Sequence, residues 1–177
     1  MTQEILITGF GGQGVLSMGK ILAYAGLLDD LEVSWMPSYG PEQRGGTANV
    51  TVILSTEPIS SPVLDEYDVA VILNQQSLDK FESHVKPGGT LIYDPYGIHR
   101  KPERTDINVV AVPATEAVLA SGNLKTYNML LLGALLKLFP MVSPETVIKG
   151  LEKTLPERHH HLIPMNREAI EKGAALV

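Results

Sequence analysis

Short β-branched runs along this chain alternate with longer segments whose apolar residues recur every three or four positions, the rhythm of an α/β fold. The first run, Ile5-Leu6-Ile7 between Glu4 and Thr8, is apolar without alternation and reads as a strand buried on both faces. Val15, Met18, Leu22 and Ala25 follow at helical spacing, with Gly19 and Gly26 beside that stripe, where a helix can approach a sheet closely. A second strand is expected over 32–36 and a third, alternating, over 47–54. The stretch between them is too rich in Pro and Gly for a helix. Parallel neighbours need a crossover of about a dozen residues or more, usually helical. Strands two and three are therefore expected to be antiparallel, which makes the sheet mixed.

The second half returns to the same alternation. A buried strand over 68–73 precedes a helix over 76–84, and the turn at 86–90 leads into a strand over 91–94. A last strand over 107–112 precedes a helix beginning at Ala114, and three further helical patterns cover about 126–139, 144–154 and 164–175. No repeat, low-complexity tract or linker divides the chain. Residues 1–177 are expected to form a single domain, three-layer α/β/α with a mixed, mostly parallel, Rossmann-like sheet.

Composition narrows the chemistry. The net charge of -6 argues against a nucleic-acid partner, because phosphate contacts need clustered Lys and Arg. Cysteine is absent, which removes thiolate ligation of an iron–sulfur cluster, disulfides and a thiol nucleophile. The first residues show no basic region followed by an apolar signal segment, and no apolar stretch approaches the ~18 residues of a membrane span. A cytoplasmic protein with no membrane contact is the expectation.

Candidate chemistry concentrates in "GFGGQGVLSMGK", residues 9–20. Gly9, Gly11 and Gly14 spell G-x-G-x-x-G, and Gly14, Gly19 and Lys20 spell most of a P-loop. The P-loop reading fails: Ile21 stands where Ser or Thr must ligate magnesium, and Lys20 lies roughly 10 Å along the helix from the loop. The NAD reading lacks an acid ending the second strand, since Asp29, Asp30 and Glu32 precede it. Two alternatives remain for the loop: a tight turn with close helix packing, or an anion seat of bare backbone N–H groups at a helix N-terminus.

The second glycine stretch, "SYGPEQRGG", should lie at the carboxyl end of strand two, near the first loop if strands one and two are neighbours. Arg44 can grip a phosphate or carboxylate bidentately, and Gly45 and Gly46 permit a close approach. A surface ion pair of Arg44 with Glu42 is the plainer reading. The conjunction of Arg, two Gly, Tyr39, Pro41 and Glu42 favours the functional one.

"GFGGQGV", "SYGPEQRGGTANVTVILS" and "NMLLLGALL" together resemble the gamma subunit of 2-oxoacid:ferredoxin oxidoreductases, over nearly the whole chain and most specifically in the Arg-Gly-Gly element. The chain looks closest to the 2-oxoglutarate (2-ketoglutarate) branch of the pyruvate/ketoisovalerate oxidoreductase family, and its fold is similar to domain III of pyruvate-ferredoxin oxidoreductase. The resemblance implies oxidative decarboxylation of a 2-oxoacid to acyl-CoA, with electrons passed to ferredoxin. It implies alpha, beta and delta (ferredoxin-like) partner subunits that carry thiamine diphosphate and iron–sulfur clusters, and a non-catalytic gamma chain contributing to coenzyme A binding. Carried over by position, Gly9, Gly11, Gly12, Gln13 and Gly14 form one element of that site, and Arg44, Gly45, Gly46 and Thr47 the other. A free-standing NAD- or ATP-binding enzyme and a pure assembly subunit remain the alternatives.

Three features carry less. His159-His160-His161 resembles a metal cluster, but consecutive side chains diverge and rarely close on one ion; a polar turn or interface contact is expected instead. Asp94 reads as a strand-end cap. The apolar run 129–136 reads as a core helix in preference to one buried by another subunit, with Asn128 at its start bonding a backbone group.

Overall fold

The computed structural model describes residues 1–40 and 46–177. Its strands are β1 (Thr2–Phe10), β2 (Glu32–Tyr39), β3 (Thr47–Ser55), β4 (Tyr67–Ile72), β5 (Val85–Tyr93) and β6 (Asn108–Ala111). Its helices are α1 (Val15–Leu28), α2 (Gln75–Phe81), α3 (Ala114–Ser121), α4 (Tyr127–Leu138), α5 (Pro144–Thr154) and α6 (Ile163–Ala174). The strands form one sheet in the order β2-β3-β1-β4-β5-β6. β3 runs antiparallel to both of its neighbours, and the β1–β4, β4–β5 and β5–β6 pairs are parallel. The sheet is mixed and mostly parallel, as the missing crossover between strands two and three requires.

Strands one and two are not neighbours. β3 turns back from β2 and inserts between them, pairing Phe10 with Thr47 at one end and Thr2 with Ser55 at the other. The 86–90 segment is the opening of β5 rather than a turn before it. Helix α2 ends at Phe81, with a 3-10 turn at Glu82–His84 finishing the predicted helical stretch.

The alternation of β1 explains the layers. Ile5 and Ile7 face the large core that α1, α4, α5 and α6 build on one side of the sheet, while Leu6 faces a smaller cluster with Leu78 of α2. All three side chains are essentially inaccessible, and burying each contributes roughly 1.5–3 kcal/mol. Gly19 lets α1 lie directly on β3, since a Cβ there would stand 2.6 Å from Val50 Cγ1. Met129, Leu130, Leu131, Leu132 and Leu135 of α4 are buried within this chain, which makes α4 a core helix.

Candidate functional site

Five of the six strands point the same way, so their carboxyl ends, the start of β3 and the N-terminus of α1 share one rim of the sheet. The glycine loop leaves β1 at that rim. Gly9 is buried, and a Cβ on it would lie 2.5 Å from Gln13 Oε1 and 2.9 Å from Leu73 Cβ. Gly14 adopts φ 77°, a left-handed conformation that reverses the chain into α1 and that L side chains avoid. A Cβ on Gly14 would also lie 2.5 Å from Asn128 Nδ2. Asn128 donates to the Gly14 carbonyl at 3.4 Å, the backbone bond anticipated for it.

Gln13 braces the loop from within. Its Oε1 accepts from the Phe10 N–H at 2.6 Å and its Nε2 donates to the Leu73 carbonyl at 3.2 Å, tying the turn to the residue just after β4. Both ends of the side chain are engaged. Gly11 N–H donates to the Gly46 carbonyl at 2.9 Å, so the two glycine stretches touch although β1 and β2 do not. The antiparallel return of β3 makes that contact, a consequence of register invisible to local pattern. Arg44 and Gly45 lie outside the described residues.

A cleft of about 510 Å³ opens where the two stretches meet, with Phe10, Gly11, Gly12, Gly14, Gly46 and Thr47 on its walls. The backbone N–H groups of Gly12, Gly14, Val15, Leu16 and Ser17 meet no acceptor among the described residues, and all five residues line the cleft. The first N–H groups of a helix have no intrahelical partner and carry its positive partial charge. This arrangement can hold an oxyanion such as phosphate against bare backbone. Among the described residues it offers no acid for ribose hydroxyls: Asp29 is bonded to the Ser143 N–H and the Thr146 hydroxyl, each at 2.8 Å, at the start of α5.

Nearby polar groups serve support. Asp94, 1% exposed at the end of β5, accepts from the Thr115 N–H at 3.0 Å, the Thr115 hydroxyl at 2.5 Å and the Tyr96 N–H at 3.1 Å. It caps the strand end and the start of α3 as expected. Burial pushes the Tyr127 phenol far above its ordinary range, with the Asp94 carboxylate adding to the shift. Of the three consecutive histidines, His160 turns its Nε2 to the carbonyls of Glu152 and Leu155, at 3.0 and 2.9 Å, at the end of α5. Sequence reasoning had no means to find the Gln13 brace, because its partner Leu73 lies 60 residues away.

Nearly the whole chain, residues 4–176, matches the family model described as pyruvate ferredoxin/flavodoxin oxidoreductase. The chain belongs to that family. It is similar to ketoisovalerate oxidoreductase subunit VorA of Methanothermobacter thermautotrophicus, 38% identical over 97% of this chain and 35% of the relative. It thus spans about a third of that longer protein. A relative of comparable length is 2-oxoglutarate synthase subunit KorC of Methanocaldococcus jannaschii, 37% identical over 89% of this chain and 86% of the relative. Among solved structures, a keto/oxoacid ferredoxin oxidoreductase gamma subunit from Geobacter sulfurreducens superposes with a TM-score of 0.83 at 30% identity, covering 99% of this chain and 96% of that one. The 2-oxoglutarate:ferredoxin oxidoreductase of Magnetococcus marinus, solved with 2-oxoglutarate, coenzyme A and succinyl-CoA bound, gives 0.89 at 28% identity over 99% of this chain and 31% of that one. Both comparisons agree with the resemblance carried by the two glycine stretches.

Proposed function

We propose that this chain is the gamma component of a multi-subunit 2-oxoacid:ferredoxin oxidoreductase of the 2-oxoglutarate branch, and that its glycine-lined cleft receives the diphosphate of coenzyme A. Alpha, beta and delta chains supply thiamine diphosphate, the iron–sulfur clusters and the route to ferredoxin. One observation carries the reading: five residues whose backbone N–H groups meet no acceptor among the described residues line a single cleft, where the Gly11–Gly46 bond joins the two glycine stretches. A cleft of about 510 Å³ suits part of so large a ligand, leaving the pantetheine arm to reach a neighbouring chain. The coenzyme A bound in the Magnetococcus relative supports the same assignment.

Arg44→Ala in the assembled enzyme tests it. The Michaelis constant for coenzyme A should rise about tenfold or more, the loss of a bidentate charge-assisted contact, while kcat stays within about twofold. An unchanged constant would favour a pure assembly role. That second reading draws on the close packing of Gly9 and Gly14, whose bare backbones also serve the fold. A free-standing NAD enzyme is disfavoured by the strand inserted between β1 and β2, which displaces the end of β2 from the loop it would serve.

A further inference from the structure

The topology of the sheet puts a second opening beside the glycine loop. β1 and β4 are parallel neighbours, yet α1 leaves β1 for the large core while α2 leaves β4 for the smaller cluster on the opposite face. Connections that part in this way leave a crevice between the carboxyl ends of the two strands, the usual ligand position in open α/β sheets. A dinucleotide carried by G-x-G-x-x-G would be expected there. The cleft of about 510 Å³ lies on the other side of β1. Its walls come from the loop, the first turn of α1, Gly40 and the start of β3, with nothing from β4 or Leu73.

Gln13 occupies the β1–β4 side. The Leu73 N–H donates to the Thr8 carbonyl at 2.9 Å, which extends the β1–β4 ladder by one residue, and the Leu73 carbonyl accepts from Gln13 Nε2. Gln13 Oε1 accepts from the N–H of Phe10, the last residue of β1. One amide thus spans the two strand ends. The packing leaves no space for a methyl group, since a Cβ on Gly9 would stand 2.5 Å from Gln13 Oε1 and 2.9 Å from Leu73 Cβ. The first glycine of the fingerprint therefore makes room for Gln13. A hydrocarbon side chain of equal length would fill the same space but would offer nothing to the Phe10 N–H or the Leu73 carbonyl.

We infer that Gln13 is a positioning residue for coenzyme A, an inference that rests on the coenzyme A reading above. It acts on the loop rather than on the ligand: by closing the β1–β4 side, it commits the free amides of the loop to the cleft beside β3. Both of its bonds are internal to the chain, so the brace shapes the seat independently of what occupies it, and binding need not order the loop. A loop released from the brace divides its time among conformations, and apparent affinity falls by the fraction that stays competent.

Steady-state kinetics and hydrogen exchange of the assembled oxidoreductase test the inference. Gln13→Met keeps the length of the side chain and loses both bonds. Its Michaelis constant for coenzyme A should rise by about threefold to tenfold while kcat stays within about twofold, and segment 9–14 should exchange faster before coenzyme A is added. Gln13→Glu keeps the acceptor for the Phe10 N–H but sets a carboxylate oxygen against the Leu73 carbonyl, and should raise the constant at least as far. Wild-type constants in both variants overturn the inference. So does a raised constant with unchanged exchange in the loop, which would make Gln13 a direct contact of the ligand. Arg44→Ala separates this failure from that of the broader reading, because it should raise the constant whatever Gln13 does. If Arg44→Ala also leaves it unmoved, the coenzyme A assignment itself falls.

Discussion

A single methyl group separates Gly14 from a residue the loop cannot hold. Its φ of 77° and its contact with Asn128 act together, so Gly14→Ala meets both backbone strain and a collision. A loss of about 2 kcal/mol or more is expected in urea unfolding. Trimming the neighbour should relieve the closest part of the collision, though the Asn128 Cβ stays 2.9 Å away: Asn128→Ala combined with Gly14→Ala should cost less than the sum of the single changes. Strict additivity would mean that Asn128 does not confine the loop. A different residue governs the acid limb of stability. Burial pushes the Glu82 carboxyl up, but hydrogen bonds from the Arg104 and Glu103 N–H groups and the Arg100 guanidinium outweigh it and hold Glu82 below its ordinary value. A depressed carboxyl stabilises the fold fully above its unfolded pKa, about 4.3, and that contribution is lost as pH falls through the folded value. Glu82→Gln should therefore lower stability by roughly 1–2 kcal/mol at pH 7 and by less near pH 3. A deficit that stays constant from pH 7 to pH 3 would refute that role.

Helices α4 and α6 meet backbone to backbone, which sets how α4 lies and where its first turn presents Asn128. A Cβ on Gly173 would stand 1.8 Å from the Leu130 carbonyl oxygen, and one on Gly133 would stand 2.0 Å from that of Ile170. The two glycines are a reciprocal pair, and nothing flexible lies in the way to yield. Gly173→Ala should force the helices apart at a cost of about 3 kcal/mol or more, read as a fall in the midpoint of thermal or urea unfolding. A small fall would show that α6 can slide on α4. Helix α5 is held at both ends by its surroundings. Ser143 accepts from the Thr146 N–H at 3.2 Å, and Asp29 binds the same turn from the end of α1. His160 meets the last carbonyls of α5. His160→Ala should lower stability by about 1 kcal/mol, and added zinc or nickel should leave the wild-type midpoint unmoved if the ring serves the helix alone.

For the molecule as a whole, the sheet brings the first glycine loop, Gly46 and the start of α1 to one rim, and no acid among the described residues lines the cleft there. Under the proposed function the chemistry is supplied by other polypeptides, a reading supported by relatives that are named as subunits of oxidoreductases. Native purification from the source organism should recover this chain with larger chains containing thiamine diphosphate and iron–sulfur clusters. Recovery as a solitary active enzyme would defeat the proposed role.

Local pattern carried much of this protein. The apolar run 5–7, the helical spacing from Val15 onward and the helical patterns near the C-terminus appear close to where they were expected, because periodic burial is written into adjacent residues. The antiparallel pairing of β2 with β3 followed from chain length alone: too few residues joined them for a crossover. Motif reasoning also placed the glycine loop on the junction of β1 and α1. Only the tertiary structure decided that β3 separates β1 from β2, that Gly11 bonds Gly46, and that Gln13 is tied to Leu73. Each of these joins residues far apart in the chain. Hydrophobic period states which face of an element is buried; it does not state which distant element buries it.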